Sequence, residues 1–494
     1  MKLKRTLALL LAFLMTTATL ASCANDGDDA TADTGSQTTE ALAEGETQIK
    51  DNLPDNLNYG GDTITIITQY VQGVTSGEIW VAELNSDPIN DSIYERNKFV
   101  ESRLNVKIDC IEEKTDDYGV VSKVVTAVKS GSVDYDVLTS PAYVVLEQSL
   151  SGTFANLTDS DYLELEQPWW VQGFNEALSY QGDQYAAAGD ILLSIYRFAF
   201  ATVFNKKMFD DINQDYLYTH VENGTWTLGK QAELVPLFHV DNGNGAQDEK
   251  GDMYGLVTNL GIYVDPYWAS CQVDIISKDA NGDYEMVFDI NRLHEAAEKA
   301  LFLFYQTDDG TYLGDAKTVF SEGYAAMATI RMMDMENTLL RNMEDPYGVV
   351  PMPRLSTDQD GYYSTLHDGF TVLAIPTTVH GDRLHEVSAV LEAMGSASYR
   401  IVKPAYYETT LRTKLVSDPQ SSAMLDMIIE NLRTDAGYIN VYAFNSFHHG
   451  FRSIMSSKQN TVSSQYKSRQ KATEKAVKNL NKRLERLAQR NDEQ

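Results

Sequence analysis

The sequence predicts an α/β protein with two lobes. Its 494 residues exceed what one hydrophobic core usually supports. From residue 63 to residue 139, β-branched segments alternate with segments of helical periodicity, and this alternation favours parallel strands joined by helical crossovers. An apolar content of 43% provides enough side chains for burial in both lobes.

The first strand is predicted at residues 63–68, where every side chain is β-branched and Gly60-Gly61 introduces the segment. A helix is expected after Asp87, which can cap it. The apolar positions of this helix share one face: Ile89, Ile93, Val100 and Leu104.

Two further strands, at 105–111 and 135–139, flank a predicted helix at 119–129. Ligands of such sheets collect at the carboxyl ends of the strands, so the loops 70–80 and 140–143 are expected to border a pocket.

The middle of the chain contains more aromatic residues and more turn signals than the part before it. Residues 182–185 suggest a hairpin, 198–204 a strand that passes between the lobes, and 293–305 a helix. A Met-rich helix is expected after Arg331. Two more strands are predicted at 347–353 and 369–376.

The C-terminal segment is basic, in contrast to the rest of the chain. Apolar residues recur there at helical spacing: Val462, Tyr466, Val477, Leu480, Leu484 and Leu487. A basic amphipathic helix can bind a membrane or nucleic acid. We favour packing on the chain's own acidic body, because the formal net charge of −31 supplies the complementary charge and repels polyanions.

The N-terminus carries a secretory leader, with three basic residues before an apolar run at 7–14 that is too short for a permanent membrane span. Leu20-Ala21-Ser22-Cys23 resembles the lipobox of bacterial lipoproteins. The resemblance implies a signal peptide at 1–22, a lipid on Cys23 and a location on the outer face of the cell membrane. An ordinary secretory leader is the alternative. Residues 23–54 then form a flexible tether, since 24–50 holds too few apolar side chains to fold.

Two cysteines remain, Cys110 and Cys271, too few for a metal cluster. We interpret them as small buried apolar residues, with a single disulfide as the alternative outside the cell.

The order of these features resembles the extracellular solute-binding proteins of bacterial ABC transporters, of the maltose-binding-protein type. The resemblance covers most of residues 55–450. Besides the lipobox and the first strand, it is carried by these motifs: Ile89–Asn97, Tyr135–Leu138, Pro168-Trp169-Trp170, Phe204-Asn205-Lys206, Gly224–Thr227, Gly323–Met327 and Gly348–Pro353.

The resemblance implies a periplasmic-binding-protein-like (type II) fold in which two or three segments cross the hinge and a ligand is clamped between the lobes. We expect the first lobe at 55–200 and 348–400, and the second at 201–347 and 401–494. The implied function is capture of a small solute, most commonly a sugar, by a monomer that delivers it to permease subunits. A surface-anchored glycoside hydrolase and a non-transport adhesin or sensor are the rivals.

Sugar rings stack on aromatic planes, and their hydroxyls pair with carboxylates, amides and guanidinium groups. The predicted ligand contacts lie in loops or at strand ends: Trp80, Tyr143, Tyr196, Arg197, Tyr267, Trp268, Arg331 and Asp368. Asp368 precedes Gly369, which permits close backbone approach. We assign Trp169, Trp170 and Trp226 to structure instead.

Residues 241–252 resemble a calcium loop, with candidate ligands at Asp241, Asn242, Asn244, Asp248 and Asp252. The glycine spacing does not fit the motif, so a polar turn is favoured, and neither a metal nor a cofactor is predicted. Motifs of hydrolases, zinc proteases and nucleotide-binding enzymes are absent from the sequence. The isolated pair His448-His449 is interpreted as surface.

Overall fold

The computed structural model describes residues 49–336, 338–411 and 419–492. Cys23 and the predicted leader lie outside the described residues. The strands are β1 Asp62–Gln69, β2 Val106–Glu113, β3 Val137–Pro141, β4 Phe200–Asn205, β5 Tyr254–Thr258, β6 Ile276–Lys278, β7 Tyr284–Met286, β8 Thr311–Leu313, β9 Ala325–Arg331, β10 Tyr347–Val350 and β11 Thr371–Ala374.

Helices form much of the rest of the described chain. They are α1 Pro88–Leu104, α2 Asp117–Ser130, α3 Ala142–Ser149, α4 Gln172–Leu178, α5 Ser194–Arg197, α6 Lys206–Asp211, α7 Leu217–Glu222, α8 Leu228–Leu234, α9 Asp265–Ala269, α10 Ile290–Tyr305, α11 Ala316–Ser321, α12 Thr338–Arg341, α13 Asp382–Arg400, α14 Val402–Leu411, α15 Pro419–Glu430, α16 Ala436–Ile439, α17 His449–Ser457 and α18 Val462–Asp492. Short 3-10 helices lie at Leu157–Asp159, Val235–Phe238, Ile262–Val264 and Met332–Glu336.

Each lobe is built on one mixed sheet, which confirms the two-lobed α/β prediction. In the first lobe the strand order is β11-β3-β1-β2, with β1 parallel to β2 and β3, and β11 antiparallel to β3. In the second lobe the order is β10-β4-β9-β5-β8, and β6 pairs with β7 in a separate hairpin. The predicted parallel strands of the first lobe are therefore confirmed.

Two of the chain's passages between the two sheets lie within the described residues. It enters the second lobe between α5 and β4, and it returns between Leu366 and β11. Further along the chain, α14 packs on α1 of the first lobe and α15 packs on β10 of the second. The chain rejoins the first sheet at Thr371, where β11 begins. The lobe boundaries expected from the sequence remain predictions.

Local sequence explains the helix ends well. Asp87 caps α1, since its carboxylate accepts hydrogen bonds from the amides of Ile89 and Asn90, both at 3.0 Å.

The predicted Met-rich helix after Arg331 is a 3-10 helix at Met332–Glu336. Its first turn is fixed by Asp334, which accepts a hydrogen bond from the Arg331 amide.

The cores contain the residues assigned to structure from the sequence. Trp169, Trp170 and Trp226 are at most 2% exposed, which confirms that assignment. All the apolar positions predicted on the basic C-terminal helix are buried too, so α18 packs on the body of the protein as expected. Cys110 and Cys271 carry free thiols, and the alternative of a disulfide is wrong.

Candidate functional site

A cavity of about 320 Å³ lies where the two lobes meet. Helix α3 of the first lobe forms one wall, and the segment 440–443 of the second lobe forms another. Helix α18 closes a third side. We call this space the interlobe cavity, and its aromatic and polar lining consists of Tyr143, Glu147, Asn440, Tyr442, Asn479 and Arg483.

Tyr143 is held in the cavity wall by its place in the fold. It lies in the first turn of α3, directly after the carboxyl end of β3, where ligands of α/β sheets are expected. Its hydroxyl donates to the carboxylate of Asp117 at the start of α2. Burial and this carboxylate raise the pKa of Tyr143, so the phenol is neutral at physiological pH.

Tyr442 faces Tyr143 from the second lobe. The two rings meet edge to face with centroids 5.6 Å apart, and Tyr442 is 55% exposed. Two tyrosines from different lobes thus offer apolar faces to the same space, with exposed area available for a ligand.

The rest of the lining supplies donors and acceptors. Asn440 and Asn479 carry amides, Glu147 a carboxylate and Arg483 a guanidinium group. Arg483 also donates to the carbonyl of Leu150 in the first lobe at 3.4 Å. Flat apolar faces surrounded by such groups match the chemistry of a polyhydroxylated ring.

Next to the cavity, the second lobe is hydrogen bonded to the first. The hydroxyl of Tyr180, in the first lobe, donates to Asp283 of the β6–β7 hairpin at 2.7 Å. Lys278 of the same hairpin donates to the Ser179 hydroxyl at 2.9 Å. Asn481 of α18 donates to the Tyr284 carbonyl at 2.8 Å and accepts from Tyr180 at 3.4 Å. The hairpin and α18 therefore join the lobes on this side.

A second polar feature lies where the returning segment 366–370 meets α9 and α17. We call it the polar cluster; its members are Asp265, Asp368, Tyr438, His448, His449 and Arg452. Arg452 donates from Nε to Asp265 at 2.7 Å, and Tyr438 donates to the other oxygen of Asp265 at 3.1 Å. Burial, together with the nearby Asp265 carboxylate, raises the pKa of Asp368 to about 6.

The surface interpretation of the histidine pair is wrong. His448 is 1% exposed and stacks on Trp268 with centroids 6.4 Å apart. His449 is half-buried, and burial together with Arg452 and Arg469 lowers its pKa to about 4. The turns at 440–448, between α16 and α17, fold inward, and residue type alone does not reveal that.

Three of the predicted ligand contacts are buried in the described structure. Tyr196 donates to Asp190 at 2.5 Å and stacks on Tyr406. Tyr267 and Thr329 share a hydroxyl–hydroxyl bond of 2.6 Å. Trp268 is 1% exposed. A ligand role for these three residues stays a prediction.

Other predicted contacts lie near the crossings. Arg197 pairs with Glu336 at 3.1 Å, and the Arg331 guanidinium lies 5.5 Å from the centroid of the Phe198 ring. Trp80 is half-buried at the margin of the first lobe's core. Asp368 belongs to the polar cluster. Of the predicted ligand contacts, Tyr143 alone is part of the lining of the interlobe cavity.

Sequence reasoning missed Glu147, Asn440, Tyr442, Asn479 and Arg483. Tyr442 lies in the aromatic-rich stretch 438–447, and that composition could have indicated a residue of the cavity lining. Nothing in the spacing of α18 indicates that Asn479 and Arg483 face α3, because helical periodicity defines a buried stripe without identifying the partner.

The loop that resembles a calcium site is closed by its own hydrogen bonds. Asp252 accepts from the Asn242 amide at 2.9 Å and from the Asp248 amide at 3.0 Å, one bond on each carboxylate oxygen. These backbone bonds lower the pKa of Asp252. A calcium ion there would compete with them, and its binding stays a prediction.

The fold of two α/β lobes is similar to that of solved solute-binding proteins, among them proteins of ABC transporters. The cyclic α-maltosyl-1,6-maltose binding protein from Arthrobacter globiformis is 13% identical, covers 86% of this chain and 100% of its own, and has a TM-score of 0.55. An ABC substrate-binding protein from Listeria monocytogenes in complex with cycloalternan is 14% identical, covers 86% and 99%, and has a TM-score of 0.52. A cyclo/maltodextrin-binding protein complexed with maltotetraose is 11% identical, covers 86% and 97%, and also scores 0.52.

Neither a protein-family model nor a curated protein matches the sequence. Within the described residues, the helices are all too short or too polar to span a bilayer.

Proposed function

We propose that this chain is a solute-binding protein that captures a short saccharide in the interlobe cavity and delivers it to the permease of an ABC transporter. The observation that carries the proposal is the cavity itself, in which tyrosines from both lobes meet amides and charged groups. The comparison proteins support the saccharide class, since their complexes contain cycloalternan and maltotetraose.

The size of the cavity restricts the ligand. Its volume of about 320 Å³ lies at the lower end of the range of roughly 300–1,000 Å³ for small-molecule sites. This space suits a short saccharide or one end of a longer one. We infer that Tyr143 and Tyr442 contact ring faces and that Asn440, Asn479 and Arg483 bind hydroxyl groups.

Delivery requires that the ligand favours one arrangement of the lobes. A ligand that contacts Tyr143 of the first lobe and Tyr442 of the second binds the closed arrangement better than an open one, and so shifts the population toward closure. Permease subunits would then recognise the closed protein.

Binding without catalysis is favoured over hydrolysis. Glycoside hydrolases position two carboxyl groups about 5–9.5 Å apart around the scissile bond. Among the described residues that line the cavity, Glu147 is the one carboxylate. The proposal therefore includes no enzymatic activity.

Calorimetric titration with linear and cyclic malto-oligosaccharides tests the function. The wild type should bind at least one of them, and Tyr442→Ala should weaken binding by about tenfold or more, because it removes the exposed aromatic face. Phe302→Ala removes another exposed aromatic side chain, on α10 outside the cavity lining, and should bind like the wild type.

Chromatography of the recovered sugar completes the test. Intact sugar agrees with capture, whereas shortened products would establish a hydrolase. A broad saccharide panel without any heat of binding or any rise in melting temperature would overturn the carbohydrate assignment.

We further propose that the protein is attached to the outer face of the cell membrane by a lipid on Cys23. The Leu20–Cys23 motif supports this anchor. Cys23→Ser should move the protein from the membrane fraction to the medium and abolish incorporation of labelled palmitate, whereas Cys110→Ser should alter neither. A membrane-bound, labelled Cys23→Ser protein would refute the anchor.

A further inference from the structure

Three potential metal ligands converge in the polar cluster. Asp368 comes from the segment that returns to the first lobe, while His448 and His449 come from the start of α17 in the second lobe. One ligand atom from each of the three side chains lies within 4.8 Å of the others. Two imidazoles and one carboxylate form a donor set typical of transition-metal sites.

His448 provides a second, independent observation. Its side chain is 1% exposed, and neither ring nitrogen has a hydrogen-bond partner of acceptable geometry. The backbone of Gly437 lies beside one side of the ring. Nε2 of His449 has no partner either. A buried polar atom left without a partner is unfavourable, so these nitrogens are available to a ligand.

Charged side chains of both signs surround the two histidines. Arg452 itself is paired with Asp265, and Asp368 contributes the negative charge that a cation requires. Arg469 also faces the histidines, and its positive charge opposes a cation, as does that of Arg452.

We propose that Asp368, His448 and His449 bind one divalent transition-metal ion of the Zn²⁺ class. Imidazole ligands favour zinc over calcium or magnesium, which prefer oxygen. A tetrahedral zinc ion with bonds of about 2.0–2.1 Å separates its donors by about 3.3 Å, so the side chains must draw together by rotation. The fourth position is left for water.

Such an ion joins parts of the fold that are distant in sequence. It links the returning segment, next to β11 of the first lobe, to α17 of the second lobe. Because zinc would bind the folded chain in preference to the unfolded one, it should raise the melting temperature. The site is separate from the interlobe cavity and does not depend on the ligand proposed there.

Titration of the chelator-treated full chain with ZnCl₂ tests the site. The wild type should bind one equivalent and melt at a higher temperature. Co²⁺ should give the visible absorption bands of a tetrahedral complex. His449→Ala and Asp368→Asn should each weaken zinc binding by about 100-fold or more, whereas His380→Ala, at an exposed histidine outside the polar cluster, should bind like the wild type.

Circular dichroism of the metal-free variants checks that each is folded. If Asp368→Asn fails to fold, the half-buried His449→Ala variant and the Co²⁺ spectrum of the wild type still decide the result. Tyr442→Ala should keep zinc binding while it loses saccharide, which separates this site from the proposed function. Absence of stoichiometric zinc binding in the wild type, or undiminished binding by His449→Ala, would overturn the inference.

Discussion

Replacement of Arg452 by methionine should lower the free energy of unfolding by about 3–5 kcal/mol at neutral pH. Arg452 donates from two nitrogens to the carboxylate of Asp265, whose side chain is fully buried. Without the guanidinium group, the buried carboxylate of Asp265 would keep one side-chain donor within the polar cluster, the hydroxyl of Tyr438. Urea unfolding at pH 7, in the presence of a chelator, measures the loss.

Two controls identify the cause. The double variant Arg452→Met/Asp265→Asn should recover most of the lost stability, because the uncompensated charge causes the loss rather than the missing pair. Lys207→Met breaks the exposed ion pair with Asp211 and should leave the unfolding midpoint unchanged. A midpoint for Arg452→Met equal to that of the wild type would show that the pair carries no stability.

Glu392→Gln should make the protein more stable than the wild type at pH 8, with a difference that shrinks toward pH 5. Glu392 is 1% exposed on α13, and its Oε2 accepts a hydrogen bond of 3.0 Å from Nε1 of Trp170. Burial raises the pKa of Glu392 to about 8. The folded chain therefore holds a proton at neutral pH that the unfolded chain releases near its ordinary pKa of 4.5.

The sign of the pH dependence follows from this difference. Between about pH 5 and pH 8 the folded state binds one more proton than the unfolded state, so the wild type loses about 1.4 kcal/mol of stability for each pH unit. A glutamine at this position does not titrate, and its amide oxygen can still accept from Trp170.

Urea unfolding at pH 5, 6, 7 and 8 checks the prediction, with the difference between the two proteins as the readout. Glu298→Gln, at an exposed position of α10, should follow the wild type throughout. Parallel stability curves for Glu392→Gln and the wild type would show that Glu392 is ionised in the folded protein at neutral pH.

The sequence predicts the first lobe well because local pattern and burial agree there. In the β-branched run at 63–68 only Thr63 is exposed, and from Ile66 onward both faces of the strand are buried, as is typical of a parallel strand in an α/β sheet. Asp87 caps the helix that it was expected to cap, and the strands at 105–111 and 135–139 pair in parallel with the first.

The site is less predictable because it depends on tertiary packing. Tyr267 and Trp268 follow a strand in the order expected of pocket residues, yet short helical turns direct both side chains into the second lobe's core. The cavity instead uses Arg483, which meets Leu150 across a separation of 333 residues. Hydrophobic periodicity within either segment gives no information about this long-range contact.

Helix α18 follows in the chain every element that it covers. Until residues 477–487 dock, the apolar surface that receives Val477, Leu480, Leu484 and Leu487 stays open to water. A chain truncated before Val477 would therefore lack one wall of the interlobe cavity. The C-terminal helix thus completes an enclosure that all earlier elements leave unfinished.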